Sequence, residues 1–64
     1  MDSRSLLRLL GQHGWSVVAQ KGSHVQLKHP DRPGRVTVPH PRKDIPPGTL
    51  ASIGRQAGLK LPRI

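Results

Sequence analysis

The chain has 64 residues and no cysteine, and its eleven lysines and arginines face only three acidic residues, giving a formal net charge of +8. This length predicts one domain, residues 1–64, with a small core. The lack of cysteine excludes disulfides and thiolate metal sites. Because the positive charge is spread over so few residues, a polyanion is the expected partner, and nucleic acid is the first candidate.

The apolar segments are too short for membrane insertion or export. Residues 6–10 are interrupted by Arg8, so this run is shorter than a signal-peptide core or a membrane span. A helix that lies on a membrane surface would present Trp or Phe on its apolar face. The single aromatic residue, Trp15, falls outside both predicted helices. We therefore expect a cytoplasmic protein that does not bind membranes.

Two helices are predicted, one towards each end of the chain. The first covers residues 3–13, with Ser3 as its N-cap and Gly14 in the left-handed conformation just after it. The second begins at Pro47, because a residue that precedes proline avoids the helical region, and it ends at Gly58. The apolar stripes of the two helices consist of Leu6, Leu7, Leu9, Leu10, Leu50, Ile53 and Ala57.

Three strands are predicted between the helices, because the apolar pattern there changes to a period of two. They cover residues 15–20, 24–29 and 35–38, with a turn at 30–34 before the third strand. A short basic tail, residues 59–64, follows the second helix. The side chains predicted to face the core are Trp15, Val17, Ala19, Val25, Leu27, Val36 and Val38.

These elements predict an α+β fold in the order α-β-β-β-α. Both helices need a surface that buries their apolar stripes, and the sheet offers one apolar face. We therefore expect a three-stranded antiparallel sheet with two helices on one face, as in double-stranded-RNA-binding domains. The other face then stays open and carries the polar side chains of His24, Gln26, Lys28, Arg35 and Thr37.

Four segments of the chain, taken in order and with their spacing, are similar to those of the HicA toxins. These segments are SRSLLRLLGQHGW, KGSH, RVTVPHP and GTLASIGRQAGL, and the resemblance extends along nearly the whole chain. The resemblance implies a double-stranded-RNA-binding-domain-like fold, ribosome-independent cleavage of mRNA and neutralisation by a HicB-type antitoxin. It places the catalytic histidine at His24, in the motif Gly22-Ser23-His24. Many HicA toxins have a second histidine where this chain has Val25 and a large aliphatic residue where it has Gly54. Gly54 therefore indicates either a loosened helix or a close backbone contact.

The chemistry implied by this motif requires no metal ion, because RNA carries its own nucleophile in the 2′-hydroxyl group. Histidine can take or give a proton at neutral pH, so His24 is the expected general acid or base. Cationic side chains would hold the phosphates and stabilise developing charge. We predict a metal-independent endoribonuclease toxin of a type II toxin–antitoxin system, with no cofactor. The spacing of the four histidines matches no compact zinc motif.

The candidate RNA-binding residues are Lys21, Gly22, Ser23, Lys28, Arg35 and His40. Gly22 suits both a tight turn and close approach of a ligand, and Ser23 either caps the turn or donates to a phosphate. His40 is a second acid, a substrate contact or a structural loop residue. We interpret His13 as a helix-end residue and His29 as a surface residue.

The alternative function is a non-catalytic RNA-binding module of the same fold and charge. A third alternative is a purely structural basic subunit. Substitution of His24 distinguishes the nuclease from the non-catalytic RNA-binding module, because only a nuclease loses cleavage while it keeps RNA binding. The expected partners are mRNA and an acidic HicB-type antitoxin, and we expect no homo-oligomer in the absence of that antitoxin.

Overall fold

A computed structural model describes residues 1–61, so the last three residues of the predicted basic tail lie outside the described range. The elements in chain order are α1 (Ser3–Gln12), β1 (Ser16–Lys21), β2 (His24–His29), β3 (Arg32–Pro39) and α2 (Pro47–Ala57). The strands form one antiparallel sheet in the order β1-β2-β3. The predicted α-β-β-β-α order is confirmed. Neither helix of residues 1–61 has the length and hydropathy needed to cross a membrane.

The core lies between one face of the sheet and the two helices. Val25 pairs with Val38 and Leu27 pairs with Val36, so these four side chains share the inner face of the sheet. Both helices pack against β3. The buried apolar side chains are Leu6, Leu10, Trp15, Val25, Leu27, Val36, Val38, Ile45, Leu50, Ile53 and Ala57. Both helices therefore cover the same face, as predicted.

The start of α1 differs from the prediction. Asp2, not Ser3, is the N-cap, and its carboxylate accepts a hydrogen bond from the backbone N–H of Ser5 at 3.3 Å. Ser3 is the first helical residue, and its side chain is buried. The predicted N-cap, Ser3, was therefore wrong; carboxylates and hydroxyls both cap helices well, and here the carboxylate of Asp2 takes this role.

The glycines predicted after both helices are confirmed, although α1 ends at Gln12, one residue earlier than predicted. Gly14 lies two residues after α1 with a φ of +93°, and Gly58 directly follows α2 with a φ of +73°. Both angles lie in the left-handed region that favours glycine. α2 begins at Pro47. Proline suits this position because the first N–H groups of a helix have no partner within it.

β1 contains a bulge that changes which of its residues face the core. The pairing moves from Val17–Leu27 to Ala19–Gln26, so Val18 is an extra residue in the ladder. Val17 shares the inner face with Leu27 but is 57% exposed, because the helices pack over β3 at the other edge. Ala19 lies on the outer face beside Gln26. The prediction that Val17 is buried and that Ala19 faces inward was therefore wrong.

β3 begins earlier than predicted. A two-residue turn, Pro30 and Asp31, joins His29 to Arg32, and these last two residues pair across the hairpin. The ladder is then irregular until Val36 pairs with Leu27, and Gly34 has a φ of +80° in this irregular stretch. The predicted turn at 30–34 is thus partly strand, because proline and glycine here form a bulge rather than a loop.

Gly54 makes the close backbone contact that was one of its two predicted roles. It is buried in α2, and its carbonyl accepts a hydrogen bond from the N–H of Leu59 at 2.8 Å. A Cβ atom at this position would lie 2.6 Å from the carbonyl oxygen of Leu59. The chain after α2 therefore turns back over the helix at the point where a side chain is missing.

Candidate active site

His24 is the first residue of β2, and its side chain is exposed. It follows the two-residue turn Gly22–Ser23, which connects β1 to β2. Gly22 has a φ of +55°, the left-handed conformation that a tight hairpin turn needs at its first central position. The Gly-Ser-His motif therefore places an imidazole at the tip of a hairpin, where a ligand can reach it.

Contacts from two directions hold this turn in place. The Gly22 carbonyl accepts a hydrogen bond from Nε2 of Gln20 at 3.4 Å, and the Ser23 carbonyl accepts one from the backbone N–H of His40 at 2.8 Å. The second contact joins the turn to the end of β3. Both carbonyls of the turn thus have a partner, which limits the positions open to the backbone before His24.

The outer face of the sheet, opposite the helices, carries a row of polar side chains. We call this surface the open face, and it consists of Lys21, His24, Gln26, Lys28, Arg35 and Thr37. Lys21 pairs directly with His24 across β1 and β2. Residues that face each other in this way have Cβ atoms about 4.5–5.5 Å apart, so the ammonium group can reach a phosphate bound at His24.

The other two cations of the open face lie farther along the sheet. Nη1 of Arg35 donates a hydrogen bond to Oε1 of Gln26 at 2.5 Å, so the guanidinium group lies above the middle of β2. Lys28 is four residues from His24 on the same strand, a distance on the order of 13 Å. Lys21 therefore flanks His24, whereas Arg35 and Lys28 extend the positive surface away from it.

His40 is close to His24 in the backbone but faces the other way. It follows Val38 by two residues, and its ring is directed to α1, where Nδ1 lies 2.7 Å from Oγ of Ser3. The same hydroxyl accepts a hydrogen bond from the N–H of Arg42 at 2.9 Å. The structure therefore places His40 beside the helix and not among the open-face residues.

His29 and His13 have structural contacts at the opposite end of the sheet. Nδ1 of His29 accepts a hydrogen bond from the N–H of Asp31 at 3.0 Å, and Nε2 lies 2.9 Å from the carbonyl oxygen of His13. The ring of His29 also contacts Trp15, with a distance of 5.2 Å between ring centroids. These contacts are satisfied by a neutral ring with its proton on Nε2. His29 is thus a structural residue that joins β2 to the end of α1.

Four residues that the sequence did not single out as candidate site residues surround His40. Ser3, Arg4, Arg42 and Lys43 line a pocket together with the histidine. Ser3 and His40 are 37 positions apart in the sequence, so only the folded structure shows that they are neighbours.

Within residues 1–61, no three His, Asp or Glu side chains are grouped closely enough to share a metal ion.

Comparisons with known proteins assign this α-β-β-β-α chain to the toxins of bacterial toxin–antitoxin systems. The family model described as "HicA toxin of bacterial toxin-antitoxin" matches residues 3–59. Since this match covers most of the chain, the protein belongs to the HicA toxin family.

The comparison with solved structures agrees with this assignment. A structure named "HicA3 and HicB3 toxin-antitoxin complex" contains a chain with 37% sequence identity to this protein and a TM-score of 0.85. The alignment covers 95% of this chain and 98% of that chain. The search of curated proteins gave no match.

Proposed function

We propose that this toxin is a metal-independent endoribonuclease that cleaves mRNA in the cytoplasm, with His24 as the proton-transfer residue. The observation that carries the proposal is the position of His24. Its imidazole is exposed on the open face, directly opposite Lys21 and at the end of a fixed turn. Membership of the HicA family supports the same activity.

In the proposed reaction, the 2′-oxygen of one ribose forms a bond to the adjacent phosphorus while the bond from phosphorus to the 5′-oxygen breaks. One proton leaves the 2′-hydroxyl group, and one proton is delivered to the departing 5′-oxygen. His24 serves as the base for the first transfer, as the acid for the second, or as each in turn. The products are a 2′,3′-cyclic phosphate and a 5′-hydroxyl end.

The positive charges of the open face suit the binding of several consecutive RNA phosphates, including the one that reacts. Lys21 is the cation nearest to His24 and would stabilise the negative charge that develops on the phosphoryl oxygens. Arg35 and Lys28 lie farther along the face and would hold neighbouring phosphates. Gly22 and Ser23 form the exposed turn beside His24, where the missing Cβ of Gly22 leaves room for the ribose–phosphate backbone.

The test compares the wild-type protein with His24→Ala and with His13→Gln, which removes a histidine far from the proposed site. Each is incubated with a labelled RNA in the presence of EDTA, and binding is measured in parallel. We expect His24→Ala to lower cleavage by roughly 10²- to 10⁴-fold, the contribution of one positioned proton-transfer group, and to keep RNA affinity. His13→Gln should cleave normally. Full cleavage by His24→Ala, or loss of wild-type cleavage in EDTA, would overturn the proposal.

We also propose that an acidic HicB-type antitoxin neutralises the toxin by covering the open face. The solved relative is a toxin–antitoxin complex, and a net charge of +8 favours an acidic partner. The test compares Lys28→Glu on the open face with Arg8→Glu on the exposed side of α1. We expect only Lys28→Glu to weaken antitoxin binding markedly. Equal loss in both variants would place the interface elsewhere.

A further inference from the structure

A second cationic site lies around the corner from the open face, between the start of α1 and the loop after β3. Residues 2–4 and 40–43 line a solvent-open pocket of about 420 Å³. Three of these residues, Arg4, Arg42 and Lys43, are cationic and exposed, whereas Asp2 is the only acidic one. We call this site the Ser3–His40 pocket.

Hydrogen bonds between the two segments fix the shape of the pocket. The N–H of Ser3 donates to the carbonyl of Arg42 at 2.9 Å, and the N–H of Ile45 donates to the carbonyl of Met1 at 2.9 Å. Oγ of Ser3, which is buried, joins the N–H of Arg42 to the ring of His40. The loop is thus held against the start of α1 without any ligand.

The charges of the pocket are arranged to bind an anion. The carboxylate of Asp2 caps α1 through the N–H of Ser5, so its charge is engaged at the helix. Because Oγ of Ser3 already accepts from Arg42, its own proton is best placed on Nδ1 of His40, which leaves the ring proton on Nε2. This N–H and the three cationic side chains form the donor set of the pocket.

The pocket is also physically connected to the proposed active site. The backbone N–H of His40 donates to the carbonyl of Ser23, the residue immediately before His24. Pro39, the last residue of β3, pairs with His24, and His40 directly follows it. The pocket therefore begins where the open face ends. An RNA strand that leaves His24 across this end of the sheet would pass over Arg42 and Lys43.

We propose that the Ser3–His40 pocket binds a backbone phosphate of the RNA at a nucleotide next to the cleaved bond. This inference rests on the proposed ribonuclease function, since it assigns part of the same substrate to a second site. His40, Arg4, Arg42 and Lys43 would bind the phosphate, and Ser3 would position the ring of His40. None of these groups takes part in the proton transfer at His24.

The test uses the double variant Arg42→Gln/Lys43→Gln and a control of equal charge, Arg8→Gln/Arg55→Gln, whose residues are exposed on the helices away from the pocket. Both are made in the His24→Ala background, and the affinity for an RNA oligonucleotide is measured against salt concentration. For each phosphate that a variant no longer binds, the slope of log K against log salt should become shallower by about 0.7. We expect this change in the pocket variant and a smaller one in the control.

Cleavage assays in the background with His24 intact separate the two proposals. Against an RNA oligonucleotide, kcat/KM of the pocket variant should fall below that of the control. Against a dinucleoside monophosphate, which has only the cleaved phosphate, the two variants should be equal. If wild-type protein cleaves RNA but both variants have the same salt slope, the pocket proposal is overturned and the ribonuclease stands. The pocket proposal is also overturned if the pocket variant weakens binding of the antitoxin but leaves RNA binding unchanged.

Discussion

Lys21 and His24 face each other across the tightest part of the β1–β2 hairpin. The bulge at Val18 makes this arrangement compatible with the core, because it reverses the alternation of side chains within β1. Val17 can therefore share the inner face with Leu27, while Lys21 shares the open face with His24. A regular strand of the same length would send one of these two side chains to the wrong side of the sheet.

Removal of the Lys21 charge should impair cleavage more than binding. In the proposed mechanism the ammonium group stabilises charge that develops in the transition state, so Lys21→Gln should lower kcat by roughly 10²-fold, the low end of the loss for one oxyanion donor. Steady-state kinetics of Lys21→Gln and of the distant variant Lys60→Gln provide the measurement. A loss confined to KM would mean that Lys21 only binds the substrate.

The two helical glycines should respond to alanine in opposite directions. Gly54→Ala places a Cβ atom 2.6 Å from the carbonyl oxygen of Leu59, whereas Gly11→Ala in α1 meets no atom within 4 Å. We expect Gly54→Ala to lower the free energy of unfolding by about 1–2 kcal/mol. Gly11→Ala should raise it by about 0.5–1 kcal/mol through better helix propensity. Urea denaturation measures both, and stabilisation by Gly54→Ala would contradict the close contact.

Loss of the Ser3 hydroxyl should destabilise the protein, because two groups lose their partner at once. Ser3→Ala leaves the N–H of Arg42 and Nδ1 of His40 without their hydrogen-bond partner. Ser3 is only 2% exposed, so water has little access to replace its hydroxyl group. The expected cost is about 1–3 kcal/mol in the free energy of unfolding. Ser52→Ala, on the exposed side of α2, should change it by no more than about 0.5 kcal/mol. Equal effects would show that Ser3 does not tie the loop to α1.

The capping carboxylate of Asp2 should make stability depend on pH. Hydrogen bonds from the side chain and backbone N–H of Ser5 lower the pKa of Asp2 below its usual value. A lowered folded-state pKa contributes stability above the unfolded-state pKa, and this contribution disappears as the pH falls through the folded-state value. Asp2→Asn keeps a capping oxygen but cannot titrate.

The difference in Tm between wild type and Asp2→Asn is therefore the quantity to follow. We expect wild type to have the higher Tm at neutral pH. The difference in Tm should shrink below about pH 4, where the carboxylate begins to gain a proton. The other two acidic residues are present in both proteins, so their effects cancel in the difference. A Tm difference that stays constant over this range would contradict the role of the Asp2 charge.

The sequence predicted those parts of the fold that local patterns control. The alternation in β2 correctly placed Val25 and Leu27 inside and His24 outside, and the prolines and glycines around α2 marked its limits. A bulge has no such pattern, so the orientation of Ala19 was predicted wrongly. The exposure of Val17 also depends on where the helices pack, which is a tertiary property.

The candidate site was predictable where its residues follow from local sequence patterns. His24 and its turn follow from a local motif, and Arg35 follows from the alternation of β3. The surroundings of His40 could not be predicted in this way, because Ser3 and Arg42 meet only when the N-terminal helix folds against the loop. Ser3 had an obvious local role as a helix cap, and that role belongs to its neighbour Asp2.

In the proposed mechanism, the protein cuts RNA by attack of the 2′-hydroxyl group, with proton transfer by His24. The most direct measurement is the chemical identity of the new ends after wild-type protein has cleaved RNA in EDTA. We predict a 2′,3′-cyclic phosphate on the upstream fragment and a 5′-hydroxyl group on the downstream fragment, with no cleavage of DNA of the same sequence. A 3′-hydroxyl end paired with a 5′-phosphate would contradict this mechanism.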